Sequence, residues 1–170
     1  MKVNIAGFLP NSLVNGVGTR SVVFFSGCNH RCPGCHNEAF WEVDSGEEME
    51  LEEVFRMIDK NLPLINGVTL SGGDPFFQAD KAAEIAAYAK SKGLSVWTYT
   101  GYTLEQLNSI CKRTQAWAFR ALLDNSDILV DGRFEEELHD DSLKYRGSTN
   151  QRILKLGRNE NEYTGIEVNI

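Results

Sequence analysis

The sequence predicts an α/β fold, a partial, open (β/α) barrel built on a mainly parallel sheet. Three observations lead there. Short β-rich runs alternate with stretches of helical periodicity, the pattern of parallel strands joined by crossover helices. The 170 residues fall short of the roughly 200–250 that a full eight-unit barrel occupies. Every unusual loop also falls at the carboxyl end of a predicted strand, the edge at which parallel α/β sheets bind ligands.

The elements follow in chain order. Residues 21–25 (SVVFF) form a buried strand. Leu51, Val54, Phe55, Ile58 and Leu62 recur at helical spacing. Residues 67–70 (GVTL) form the second strand. Ala82, Ile85, Ala86 and Ala89 mark the next helix face, and Gly93 is placed to end that helix. Residues 94–99 (LSVWTY) are the third strand, and Leu104, Leu107 and Cys111 share a further helix face. Residues 128–130 (ILV) are the fourth strand, closely preceded by Asp127. Residues 1–20 and 148–170 are expected to flank this core, with 166–170 (IEVNI) alternating as a terminal edge strand. With no internal repeat, low-complexity tract or Pro/Ser-rich linker, the reading is a single domain over residues 1–170.

Composition narrows the function. A chain 42% hydrophobic and 10% aromatic buries a core and is not disordered. A net charge of −7 repels phosphate backbones, so no nucleic-acid partner is expected. The opening MKVNIAGFLPNSLV lacks the apolar core of a signal peptide. No apolar run approaches the roughly 18–20 residues of a membrane span. The expected location is the cytoplasm, where thiols stay reduced.

Of the four cysteines, Cys28, Cys32 and Cys35 stand together as C-x3-C-x2-C directly after the first strand. Three thiolates on one tight loop can hold three irons of a [4Fe–4S] cluster and leave one iron open to a small molecule. The same cysteines with His30 or His36 would also make a closed Cys3His zinc site. The cysteines alone do not separate these readings. Cys111 shares its helix face with Leu104 and Leu107 and reads as a core residue. The other carboxyl-end loops are 71–75 (SGGDP) after the second strand, 98–102 (TYTGY) closing the third, and 131–133 (DGR) after the fourth.

C-x3-C-x2-C after the first strand of a partial barrel resembles the radical S-adenosylmethionine (SAM) superfamily. The resemblance implies that Cys28, Cys32 and Cys35 hold the [4Fe–4S] cluster and that SAM chelates the open iron. An electron then cleaves SAM to methionine and a 5′-deoxyadenosyl radical. In that family the glycine-rich turn, here Gly72, Gly73 and Asp74, holds the SAM amino group, and the segment Gly34, Cys35 and His36 lies near adenine. Thr100, Asp131 and Arg133 are the further cofactor contacts it implies. Arg133 stands where activases often have Lys and is suited to a bidentate grip on the SAM carboxylate. The alternative for it is a surface pair with Glu135 or Asp131. No catalytic side chain is expected beyond the cluster ligands.

Residues 15–20 (NGVGTR) and 146–152 (RGSTNQR), with 97–102 and 129–134, resemble the anaerobic ribonucleotide reductase activating proteins over about residues 14–152. That resemblance implies a glycyl radical placed on the reductase large subunit, a reduced flavodoxin-type electron donor, and no large extra domain. One departure from the wider superfamily is Gly34, where many members have an aromatic residue; the activating proteins resemble this chain in having Pro-Gly there. Residues 131–134 and 146–152 are expected to hold the partner's glycine loop. The acidic runs 135–137 and 140–141 read as a solvated face, and Trp97 and Trp117 as packing residues. Other readings are an activase of a different glycyl-radical enzyme, a small-molecule radical SAM enzyme, or a zinc-stabilised binding module without catalysis.

Overall fold

A computed structural model describes residues 1–113 and 116–170. The order is β1 (Lys2–Ser12), β2 (Arg20–Phe25), β3 (Glu47–Glu50), α1 (Leu51–Asp59), β4 (Gly67–Gly72), α2 (Ala79–Ser91), β5 (Ser95–Tyr99), α3 (Leu104–Cys111), α4 (Trp117–Asp124), β6 (Ile128–Asp131), β7 (Arg152–Arg158) and β8 (Tyr163–Glu167). The strands form one eight-stranded sheet in the order β3-β1-β2-β4-β5-β6-β7-β8. The central strands β2, β4, β5 and β6 run parallel. The outer pairings, β1 with β2 and β3, and β7 with β6 and β8, are antiparallel.

The sheet is therefore mixed, which corrects the expectation of a mainly parallel one. The four predicted strands form its parallel centre; the flanking segments add β1 at one edge and β7 and β8 at the other, while β3, from the interval between the first two predicted strands, pairs outside β1. β1 to β2 and β7 to β8 return through short connections, which favour antiparallel pairing. β1 escapes a pattern search because Gly7 and Pro10 interrupt its alternation, and its pairing with β2 shifts register between Ile5 and Gly7 and again between Leu9 and Ser12. β3 is acidic (EEME) and becomes a strand only because β1 offers it an edge. β8 begins earlier than the predicted 166–170, since Tyr163 is buried and its backbone is held from both sides by the Asn108 side chain.

Alternation in the strands separates two faces. Val23, Phe25, Val68, Leu70, Val96 and Leu129 join the core formed with Val54, Ile58, Ile85, Ala86, Leu107 and Leu122 of the helices. Cys111 lies in this core, as its helix face predicts. Gly93 ends α2 in the left-handed region at φ 76°, with the amides of Gly93 and Leu94 returned to the last turn. Trp97 is buried on the other face with Val130 and Ile153. Trp117, expected to pack, is 64% exposed. Among the described residues no helix is long and apolar enough to cross a membrane.

The segment 15–20 turns out to lock the amino ends of the central strands. Arg20, 1% exposed, has no carboxylate partner among the described residues. Its guanidinium donates to Thr69 Oγ1 at 2.8 Å, Ser95 Oγ and O at 2.9 Å, and the carbonyls of Val17 and Val68 at 3.0 Å. It also lies 5.6 Å over the Trp97 ring. Burial pulls its pKa down to about 10, still protonated at neutral pH. Gly16 sits at φ 125°, and a Cβ there would press on Arg20 and Trp97.

Arg20→Ala should destabilise the apo protein by about 3 kcal/mol or more, because it leaves several buried acceptors without a donor. Arg20→Lys should recover little of this, since an ammonium cannot span acceptors on three segments. Urea unfolding under anaerobic conditions checks both.

Candidate functional site

The cysteine loop leaves β2 and has little regular structure of its own. Gly27, Arg31 and Gly34 all take positive φ (99°, 50° and 76°), which curls the loop back on itself. It is held by a short ladder to a later segment: Gly27 N donates to Phe40 O at 2.8 Å and Cys28 N to Trp41 O at 2.9 Å. All three cysteines are free thiols, with Cys28 buried and Cys32 and Cys35 half-buried. Burial pushes the Cys28 and Cys32 thiols up, so taking up a metal centre must displace protons from them.

The three thiols line one cavity of about 130 Å³ together with Gly72, Gly73, Thr100, Gly101 and Gly132. All the carboxyl-end loops singled out in the sequence thus meet there. A carboxylate fastens them. Asp74 is 2% exposed. It accepts from Phe76 N, Thr100 Oγ1 and Gly101 N at 2.9 Å, and its Oδ2 lies 2.8 Å from His30 Nε2. One side chain therefore ties the cysteine loop to the loops after β4 and β5. His30 is spent on this contact and on the edge of Tyr102.

The remaining site residues divide by what their side chains already hold. Asp131 accepts from Leu104 N at 2.8 Å and from the Arg152 guanidinium, which also binds Glu105. Arg133 is exposed and, among the described residues, in no ion pair, so the alternative of a surface pair with Glu135 or Asp131 is not formed. His36 stacks edge-on with Phe134 and His139 at 5.6 and 5.8 Å. Gly34 lies against the Glu136 carboxylate. Gly72, at φ 109°, faces the Phe25 backbone, and Gly73 faces the carbonyls of Gly27 and Phe40. Their hydrogens thus meet protein backbone, where the sequence suggested only room for a ligand.

A second, larger cavity of about 840 Å³ adjoins the first. Phe24, Ser71 and Tyr99 line it from the sheet, His36 and Asn37 from the cysteine loop, and Leu13, Val14 and Tyr145 from surface loops. Its volume lies in the range of small-molecule pockets. The two cavities share Asn37, Ser71 and Tyr99.

Segment 146–152 spends most of its polar side chains on itself and on its neighbours, while Thr149 is exposed and Asn150 Oδ1 has no hydrogen-bond partner among the described residues. Arg146 donates to the carbonyls of Thr149 and Gln151, and Gln151 Oε1 accepts from the amides of Gly147 and Ser148. Asn150 donates to Arg133 O at 2.7 Å, and Ser148 is fully buried, taking Glu135 N. These side chains knit the segment to 131–135. Trp41, which lines the thiol cavity, was missed in the sequence; its only signal there is a large aromatic six positions past the third cysteine.

Residues 14–154 match the 4Fe-4S single cluster domain family. The anaerobic ribonucleoside-triphosphate reductase-activating protein of Salmonella typhimurium is 38% identical over 156 residues, covering 88% of this chain and 96% of its own. That of Escherichia coli K12 is 36% identical over 162 residues, 91% of this chain and 99% of its own. The protein of the same name from enterobacteria phage T4 is 30% identical over 156 residues, 89% and 93% of the two chains. The chain belongs to the anaerobic ribonucleoside-triphosphate reductase-activating protein family. Among solved structures, QueE from Escherichia coli aligns with 61% of this chain and 54% of its own, at 17% identity and a TM-score of 0.48.

For this member of the activating-protein family, the 4Fe-4S domain resolves the two readings of the cysteines in favour of iron–sulfur. The residues present fit such a cluster. Three reduced thiols surround a common cavity, and His30, a candidate fourth zinc ligand, is committed to Asp74. Among the described residues no three His, Cys, Asp or Glu side chains gather closely enough for a single metal ion.

Asp74→Ala should strip the acceptor from four donors and destabilise the apo protein by about 3 kcal/mol, with a parallel loss of iron retention after reconstitution. Gly73→Val should also lower iron content, because its side chain would displace the Gly27 carbonyl beside Cys28. Thermal unfolding and iron analysis of the two variants check this.

Proposed function

We propose that this protein is a radical SAM activase that places a glycyl radical on the large subunit of an anaerobic ribonucleotide reductase. The observation that carries the reading is that exactly the three motif thiols, with no fourth cysteine, share a cavity with the glycine turn after β4, while Cys111 is committed to the core. A [4Fe–4S] cluster held by these three thiols would leave an iron open to SAM and would supply the electron for its reductive cleavage. The family names of the relatives support the reductase as target. A reduced flavodoxin-type donor and a cytoplasmic location complete the proposal.

The chain's own residues prepare that chemistry. Cys28, Cys32 and Cys35 hold the cluster. Gly72 and Gly73 bring backbone close to the SAM amino group; Asn37 Nδ2 steadies this turn by donating to Gly72 O at 3.2 Å. Asp74 and Thr100 act through their mutual hydrogen bond, setting the loops against each other. Asp131 acts similarly through Leu104 and Arg152. Arg133, unpaired and beside Cys32 and Phe134 at the surface, is available for the SAM carboxylate. Gly34, Cys35 and His36, backed by Phe134, form the adenine side.

The partner glycine must be held within contact distance of the 5′ carbon, because so reactive a radical cannot be left to diffuse. The 840 Å³ cavity, which Arg146 and Gly147 line from the polar segment 146–152, is the entrance we assign to it. At its rim Leu13 and Val14 are 70% and 74% exposed, apolar surface of a kind that marks contact sites.

Replacing Cys28, Cys32 or Cys35 by Ala should abolish the visible absorption and bound iron of the anaerobically reconstituted protein, whereas Cys111→Ala should keep both. Cluster loss with Cys111→Ala but not with Cys35→Ala would overturn the ligand set. Leu13→Ser combined with Val14→Ser should leave uncoupled SAM cleavage by a chemical reductant intact. The glycyl radical signal on the reductase, measured by electron paramagnetic resonance, should fall several-fold.

A further inference from the structure

We propose that the indole N–H of Trp41 donates a hydrogen bond to a sulfur of the cluster held by Cys28, Cys32 and Cys35, and that Trp41 is thereby a positioning residue that raises the cluster's reduction potential. This rests on the iron–sulfur reading above and adds a residue to it.

Three observations converge. Trp41 Nε1 is sealed from solvent and has no hydrogen-bond partner among the described residues. An indole nitrogen can only donate, and buried donors are rarely left unmatched in folded proteins. Trp41 lines the same cavity as the three thiols. Its backbone is pinned beside the first of them, with Cys28 N donating to Trp41 O at 2.9 Å and Gly27 N to the preceding carbonyl at 2.8 Å. The ring is also held from outside the cavity chemistry: the Arg31 guanidinium lies 5.6 Å from its centre and is itself fixed by Glu42 at 2.7 Å.

In that cavity the acceptors that arrive with the cofactor are cluster sulfides and cysteine thiolates. A hydrogen bond to either draws negative charge off the cluster and stabilises the reduced state, which carries one electron more. Electron entry is the first requirement of the proposed reaction, so a donor placed here lowers the demand on the reductant.

The test uses the full-length protein, reconstituted anaerobically with iron and sulfide and without SAM. Trp41→Phe keeps an aromatic ring and removes the donor; benzothienylalanine at position 41 keeps the indole shape with sulfur in place of N–H. Iron per chain and the cluster midpoint potential, from a redox titration followed by paramagnetic resonance, are read for each. Iron content at the wild-type level with a midpoint shifted to more negative values in both variants is the expected result. An unshifted midpoint in the benzothienyl variant overturns the proposal, whatever Trp41→Phe does. A shift seen only after SAM is added places the donor on SAM and overturns it as well. Loss of iron from the isostere would replace a tuning role with a holding one, again against the proposal. A wild-type protein that takes up no cluster would overturn the iron–sulfur reading itself, and so is distinguishable from failure of this inference alone.

Discussion

The site depends on one buried carboxylate. The cysteine loop has few backbone hydrogen bonds of its own and three residues at positive φ, so nothing local fixes where its thiols stand. Asp74 supplies the fixed point. Its two oxygens satisfy donors from its own turn, from the loop after β5 and from His30 in the middle of the cysteine motif. A carboxylate serves here because it is acceptor-only and can meet four donors at once. In a site 2% exposed each of those donors would be expensive to leave unmatched. The cysteine loop therefore inherits its geometry from the parallel strands, whose carboxyl ends the sheet holds in register.

Arg20 does for the amino ends of the central strands what Asp74 does for the carboxyl ends. Its five hydrogen bonds reach β4, the first residue of β5 and the loop before β2. Thr69 passes the connection on to Asn15 O at 2.6 Å. Buried ions usually need an ion of opposite sign; a guanidinium escapes this by distributing its charge over carbonyl and hydroxyl acceptors and an aromatic face. The most distinctive stretches of the sequence, 15–20 and 146–152, thus prove to be joints of the scaffold. The polar residues of 146–152 read as partner contacts in one dimension because a loop that hydrogen-bonds to itself and a loop that grips a partner have the same composition.

That distinction marks the limit of what the sequence could disclose. The four central strands and the helix faces of α1, α2 and α3 were legible because each carries its own periodicity. So were the three thiols, because the chemistry of the motif is written in its spacing. β1, β3 and β7 were not, since their pairing depends on edges made elsewhere in the chain, and β1 contains a Pro and a register shift. The role of Asp74 as a clamp was hidden for the same reason: three of its four partners could be read only as loop residues, and His30 lies 44 positions away. Gly72 and Gly73 were recognised as essential for close approach, yet the surfaces that approach are the strand and cysteine-loop backbones.

Satisfying the scaffold's polar side chains internally has a chemical consequence. With Asp74, Thr100, Asp131, Ser148 and Gln151 already bonded within the protein, the surfaces left to a ligand are backbone at the glycine turns, the unpaired Arg133 and aromatic or aliphatic faces. Asn37, Ser71 and Tyr99 are common to the thiol cavity and the larger chamber, so they form the boundary across which any transfer between cluster and partner must occur. Two of the three are restrained there: Asn37 by its bond to Gly72 O, and Tyr99 by donation to Tyr145 O at 2.6 Å. Burial pushes the Tyr99 phenol well above its ordinary range. The neck between the two cavities thus includes two side chains fixed by hydrogen bonds, and Leu13 and Val14 stand exposed at the chamber's rim.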